Sequence, residues 1–186
     1  MTAAQIIKAT EERMAKALEV LVNELKGLRT GRANPGMLDT LRVEYYGSPT
    51  PLKTVATITT PDPASLVIKP HDPGLLKDIE KAIRSSDLGM APNNDGKVIR
   101  LTVPAMSGDQ RKKMAAQVKK SAEAQKVSCR NVRRDANKDF DTAEKNKEMT
   151  EDERDKGKER IQALLKTYEG KIDEQEAKKT KEIMEG

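Results

Sequence analysis

SGDQRKKMAAQVKKSAEAQKVSCRNVRRDANKDFDTAEK, residues 107 to 145, decides how this chain is read. Within it Ala115, Ala122, Cys129, Ala136 and Ala143 recur every seven residues, flanked by Val118, Val132 and Phe140. A repeat of seven keeps one side of a helix apolar, and a seam of small residues lets a partner helix come close. Ser107 and Gln110 have the spacing of a capping box, in which hydroxyl and amide each satisfy the other residue's backbone N–H. The stretch reads as one long helix with a defined start, and its seam needs partners.

Both chain ends supply them. Toward the C-terminus, Thr150 and Glu153 form another capping box, followed by Ile161, Leu165, Tyr168 and Ile172 on one side of a third helix. Gly157 in that helix costs about 1 kcal/mol relative to Ala. Its later seam positions are Gln175 and Lys179, so fraying is expected there. At the N-terminus, Thr2 and Gln5 open a helix whose seam is Ile7, Met14, Leu18, Leu21, Leu25 and Leu28, and Gly31 and Pro35 stop it.

Between residues 37 and 103 the period changes. Leu41, Val43 and Tyr45 alternate up to Gly47 and Pro49. Val55 to Thr60, Leu66 to Ile68 and Val98 to Val103 are short β-branched runs, and Leu75, Leu76, Ile79 and Ile83 mark one short helix. Prolines punctuate the boundaries. The expected fold is α+β: a long three-helix bundle from residues 1–31 and 106–186, with a small α/β domain inserted at 32–105. Two strands of chain join them, Thr30-Gly31-Arg32 and Val103-Pro104-Ala105-Met106. They are a candidate hinge, or equally ordinary helix stops.

Charge is concentrated in the second helix. Residues 111–138 carry ten Lys or Arg against Glu123 and Asp135, whereas 139–186 carry eleven basic and fifteen acidic residues. Lys112, Lys119, Lys126 and Arg133 recur every seven residues on one stripe, with Arg130 a turn away and Arg134 beside it. Such a row suits the phosphates of RNA, since Arg can bind them through paired donors. Only 2% of residues are aromatic, which argues for reading shape and backbone rather than stacked bases. A solvated lysine-rich face is the alternative, and it is disfavoured by the scarcity of acids within the stretch.

Catalysis finds no support. His71 is the sole histidine and sits in a proline-rich loop. Cys129 lies on the apolar seam, as a structural thiol does. No glycine-rich phosphate loop is present. Neither metal nor cofactor is expected. One cysteine excludes an internal disulfide framework, no apolar run is long enough to span a membrane, and no secretory signal is visible. The cytoplasm is the expected location. A general RNA-binding protein and a helical adaptor for another protein are the competing readings.

Four stretches resemble one family. RNVRRDAN (Arg130–Asn137) resembles the signature of ribosome recycling factors, and LRTGRANP (Leu28–Pro35), VEYYGSPTPL (Val43–Leu52) and SDLGMAPNNDG (Ser86–Gly96) resemble its other characteristic stretches, in the same order. The resemblance implies an L-shaped, monomeric, non-enzymatic factor. Its bundle would contact large-subunit rRNA at the intersubunit face of the post-termination ribosome. Elongation factor G with GTP would then separate the subunits and release mRNA and tRNA. It places rRNA contacts on Arg130 and Arg133, then Arg134, adds Arg29 close to the hinge, and makes 30–32 and 103–106 the two hinge strands. The returning strand departs from the usual Pro-Pro-Leu-Thr, reading Pro104-Ala105-Met106-Ser107, which frees one φ angle.

Overall fold

The structure, a computed structural model, describes residues 1–185. The chain forms two compact units: Met1–Leu25 with Ala115–Lys181, and Lys26–Met114 with the chain from Glu182.

The first unit contains most of three helices, α1 (Ala3–Lys26), α4 (Gly108–Lys145) and α5 (Glu151–Glu185). All three expected capping boxes form, and both bonds of each are made. Thr2 N–H donates to Gln5 Oε1 at 2.9 Å and Gln5 N–H to Thr2 Oγ1 at 3.4 Å. The matching distances are 3.0 and 3.3 Å for Ser107–Gln110, and 2.8 and 3.3 Å for Thr150–Glu153. Each box satisfies donors that a helix start otherwise leaves unpaired.

Seam packing follows from the small residues of α4. Val118, Ala122, Cys129, Val132, Ala136, Phe140 and Ala143 are all buried, while Ala115 is only half-buried. One core cluster takes Ile6 from α1, Ala136, Phe140 and Ala143 from α4, Met149 from the connection and Ile161 from α5. Phe140 is fully buried and its ring lies over Gly157, where any Cβ would collide with it. The glycine assigned a helix-propensity cost thus provides the recess for the largest fully buried side chain of the bundle.

Two expectations are corrected here. In α1 the buried positions are Ile6, Thr10, Met14, Ala17, Leu21 and Leu25, so Ile6 and Ala17 take the places given to Ile7 and Leu18. Thr10 is tolerated inside because its hydroxyl donates to Ile6 O at 2.7 Å. The end of α5 does not stop short either. The helix runs to Glu185, Ile183 is fully buried, and Arg111 and Arg32 donate to the carbonyls of Met184 and Glu185 at 3.0 and 3.4 Å. Cations on the last carbonyls are what a helix C-terminus favours.

The second unit is antiparallel throughout. β1 (Arg42–Tyr45) and β2 (Ser48–Pro51) form a hairpin, followed by one helical turn, α2 (Leu52–Val55). Tyr46 and Gly47 both have positive φ (49° and 78°), the signature of a two-residue type I′ turn. The other sheet has the order β3-β4-β6-β5, built from β3 (Ala56–Asp62), β4 (Ser65–Pro70), β5 (Pro92–Asn94) and β6 (Ile99–Thr102). Leu66 pairs with Leu101 and Ile68 with Ile99. All four side chains are fully buried and share a core with Leu76, Ile79 and Ile83 of α3 (Leu76–Arg84). Period-2 alternation on the strands and period 3.6 on α3 therefore meet in one layer. β2 and β5 were not foreseen, because Pro49, Pro51 and Pro92 read as breaks. β2 pairs only with β1 and β5 only with β6, where prolines are tolerated.

Candidate nucleic-acid interface

The predicted cations divide by unit. Within the bundle, α4 carries Lys119, Lys126, Arg130, Arg133 and Arg134; Lys112, on the first turns of α4, and Arg29 belong to the second unit. A heptad row on a straight helix drifts by about 20° per repeat. The stripe accordingly starts outward and turns toward α5: Lys119 is exposed, Lys126 and Arg133 half-buried.

That turn changes the electrostatics. Because α5 runs back alongside α4, its acids meet the stripe. Lys126 pairs with Asp173, and this bond, foremost, raises the lysine's pKa. Arg130 donates through Nε to Glu169 at 2.8 Å and through Nη1 to Glu123 at 3.1 Å, and Glu169 is the first cause of its raised pKa. Further along, the sense reverses: Asp141 pairs with Lys158 at 2.5 Å and Glu144 with Arg154 at 3.7 Å. A tally of acids between 111 and 138 includes Glu123 but misses Glu169 and Asp173, which come from far along the chain on α5. The row that sequence reading treats as open cation is in part internally paired.

Arg133 stands apart in this ladder. Its Nη1 donates to the side-chain oxygen of Gln162 at 3.2 Å, a neutral partner. Its Nε is buried with no bond, and so is Oδ1 of Asn137 one turn on. Lys119 and Arg134 are exposed and make no ion pair among the described residues; Lys120 and Lys138, missed by sequence reading, share this state. A row displaced from the seven-residue stripe, Lys120 and Arg134 fourteen apart, was the signal available.

In the second unit, Arg29 donates from Nη2 to the carbonyls of Asp87 and Leu88 at 2.9 and 2.5 Å, and its guanidinium lies against Gly89 (φ 64°). Arg29 therefore fastens the segment after α3. Lys112 is exposed. Of the candidate hinge residues, Thr30 is buried and its hydroxyl accepts from Arg32 N–H at 3.4 Å. Gly31 takes φ 77° beside Met106, a conformation that favours glycine. Val103 is buried and its N–H donates to Ala64 O at 2.8 Å; Pro104 and Ala105 are exposed. Gly31, Val103, Pro104, Ala105 and Met106 line a cavity of about 330 Å³ together with Met37, Met90 and Met114.

Cys129 is fully buried and burial pushes its thiol pKa up; a protonated thiol is a poor nucleophile. His71 is exposed. Among the described residues no group of His, Cys, Asp and Glu is placed to hold a metal, and no helix is long and apolar enough to cross a membrane.

Comparison with known proteins settles the family. The model of the ribosome recycling factor family matches residues 21–184. The chain belongs to the ribosome recycling factor family. It is 51% identical over 97% of its length to the ribosome-recycling factor of Bacillus licheniformis, covering 98% of that protein, and 50% identical with the same coverages to that of Symbiobacterium thermophilum. The chloroplastic factor of Daucus carota is 48% identical over 96% of this chain and 79% of its own length. A solution structure of a ribosome recycling factor aligns with a TM-score of 0.82 at 37% identity, covering 99% of this chain and 98% of the other. Another structure, at TM-score 0.70 and 41% identity, covers 99% of this chain and all of its match. It presents the T. thermophilus ribosome recycling factor with E. coli elongation factor G on the E. coli post-termination complex. The family's members are translation factors and not enzymes.

Proposed function

We propose that this chain, a cytoplasmic monomer, binds the post-termination ribosome through the cationic side of α4. With elongation factor G and GTP, it then promotes separation of the subunits and release of mRNA and tRNA. The observation that carries the binding mode is the combination on α4 of exposed, unpaired cations (Lys119, Lys120, Arg134, Lys138) with Arg133, held only by a neutral amide. Large-subunit rRNA at the intersubunit face is the partner that this charge fits. Arg130 and Lys126, already paired with Glu169 and Asp173, give less, because a phosphate must compete with a carboxylate in place.

Lys112 and Arg29 act from the second unit, and residues 30–32 and 103–106 serve as the hinge that elongation factor G exploits. The family is not enzymatic, so the GTP is hydrolysed by the partner. Titrating ribosomes with the protein at rising salt tests the binding mode. About three to five phosphate contacts give a log–log slope of roughly −2 to −4. A slope near zero rules out the cationic side of α4 as the interface.

A further inference from the structure

The edge where α4 meets α5 is a ladder of five rungs: Lys126–Asp173, Arg130–Glu169, Arg133–Gln162, Asp141–Lys158 and Glu144–Arg154. Four rungs join opposite charges. At the third, a cation faces an uncharged amide. Lys166, one turn from Gln162 and so on the same side of α5, is exposed and makes no ion pair among the described residues. Arg133 thus keeps its charge unneutralised in a half-buried place where water screens less than at the exposed lysines, and among the described residues Gln162 is its one side-chain partner.

We infer that Gln162 determines which arginine of the ladder binds the ribosome. It holds the Arg133 guanidinium in place without neutralising it, whereas Glu169 holds Arg130 and takes up its charge. Gln162 is a positioning and specificity residue acting through Arg133, and the inference rests on the proposed role of Arg133 as a contact to rRNA phosphate. It makes an unusual demand of one substitution. Gln162→Glu completes the ladder as a fifth ion pair, so the bundle keeps or gains stability while ribosome binding weakens.

The test compares wild type, Gln162→Glu, Gln162→Met and Arg133→Ala in full-length protein. Ribosome affinity is measured across a salt series and Tm by thermal melting. Arg133→Ala is expected to weaken binding on the order of tenfold, the loss of one charge-assisted hydrogen bond. Q162E should approach that loss, with a salt slope shallower by about one contact and Tm equal to or above wild type. Q162M, neutral and of similar length, should lose less than Q162E.

Wild-type affinity for Q162E, or a loss that Q162M equals and a lowered Tm accompanies, overturns the inference and leaves Gln162 a packing residue. If Arg133→Ala weakens binding and Q162E does not, the assignment to Gln162 fails alone. If Arg133→Ala binds as wild type, Arg133 is not the contact and both readings fall.

Discussion

Phe140 and Gly157 set how closely α4 and α5 approach. Alanine at 157 gains about 1 kcal/mol of helix propensity but puts a methyl group into a fully buried ring that has nowhere to go. Overpacking of this kind costs roughly 1–3 kcal/mol, so Gly157→Ala should lower Tm despite the better helix former. Nothing in the sequence showed this, because which residue faces Gly157 depends on the register of two helices. The same holds for the cations. Their stripe on α4 was legible, whereas Glu169, Asp173 and Gln162 opposite it were not. Arg133→Ala should weaken ribosome binding by roughly 1–3 kcal/mol and leave the melt unchanged, since the side chain lies beside the buried seam and not in it; equal affinity in a binding titration contradicts this.

Helix starts were the most legible elements, because a capping box is local: hydroxyl, amide or carboxylate and backbone all lie within four residues. Thr150→Ala should cost about 1 kcal/mol, measured by denaturant unfolding. Glu153, in the same box, has its pKa lowered first by the N–H of Thr150; Asp141 is lowered by Lys158 and Glu148 by the N-terminal ammonium. Carboxylates with depressed folded-state pKa values stabilise the fold above their unfolded values and lose that contribution as pH falls through the folded ones. Tm should hold between neutral pH and roughly pH 5, then fall below about pH 4, and Glu153→Gln, which removes one of these carboxylates, should flatten the fall. Seams were less legible than caps. In α1, Ile6 competes with Ile7 and Ala17 with Leu18, and only the bundle chooses between adjacent apolar residues, burying the smaller of the second pair. Short edge strands were least legible, because Pro49, Pro51 and Pro92 signal interruption without saying what lies alongside.

For the whole molecule, the order of elements was readable from changes of hydrophobic period, and the motifs that carried the family resemblance are spread through both units. What elongation factor G acts on is proposed to be the second unit. A variant lacking residues 33–103, its ends joined by a short flexible linker, should keep salt-sensitive ribosome binding and lose subunit splitting. Splitting by that variant would contradict a mechanism needing both units. The most direct measurement is light scattering of post-termination ribosomes mixed with the protein, elongation factor G and GTP. Scattering should drop only when all three are present, as 70S particles become subunits. With elongation factor G from the same source, no drop despite tight binding would contradict recycling and leave an RNA-binding protein of another kind.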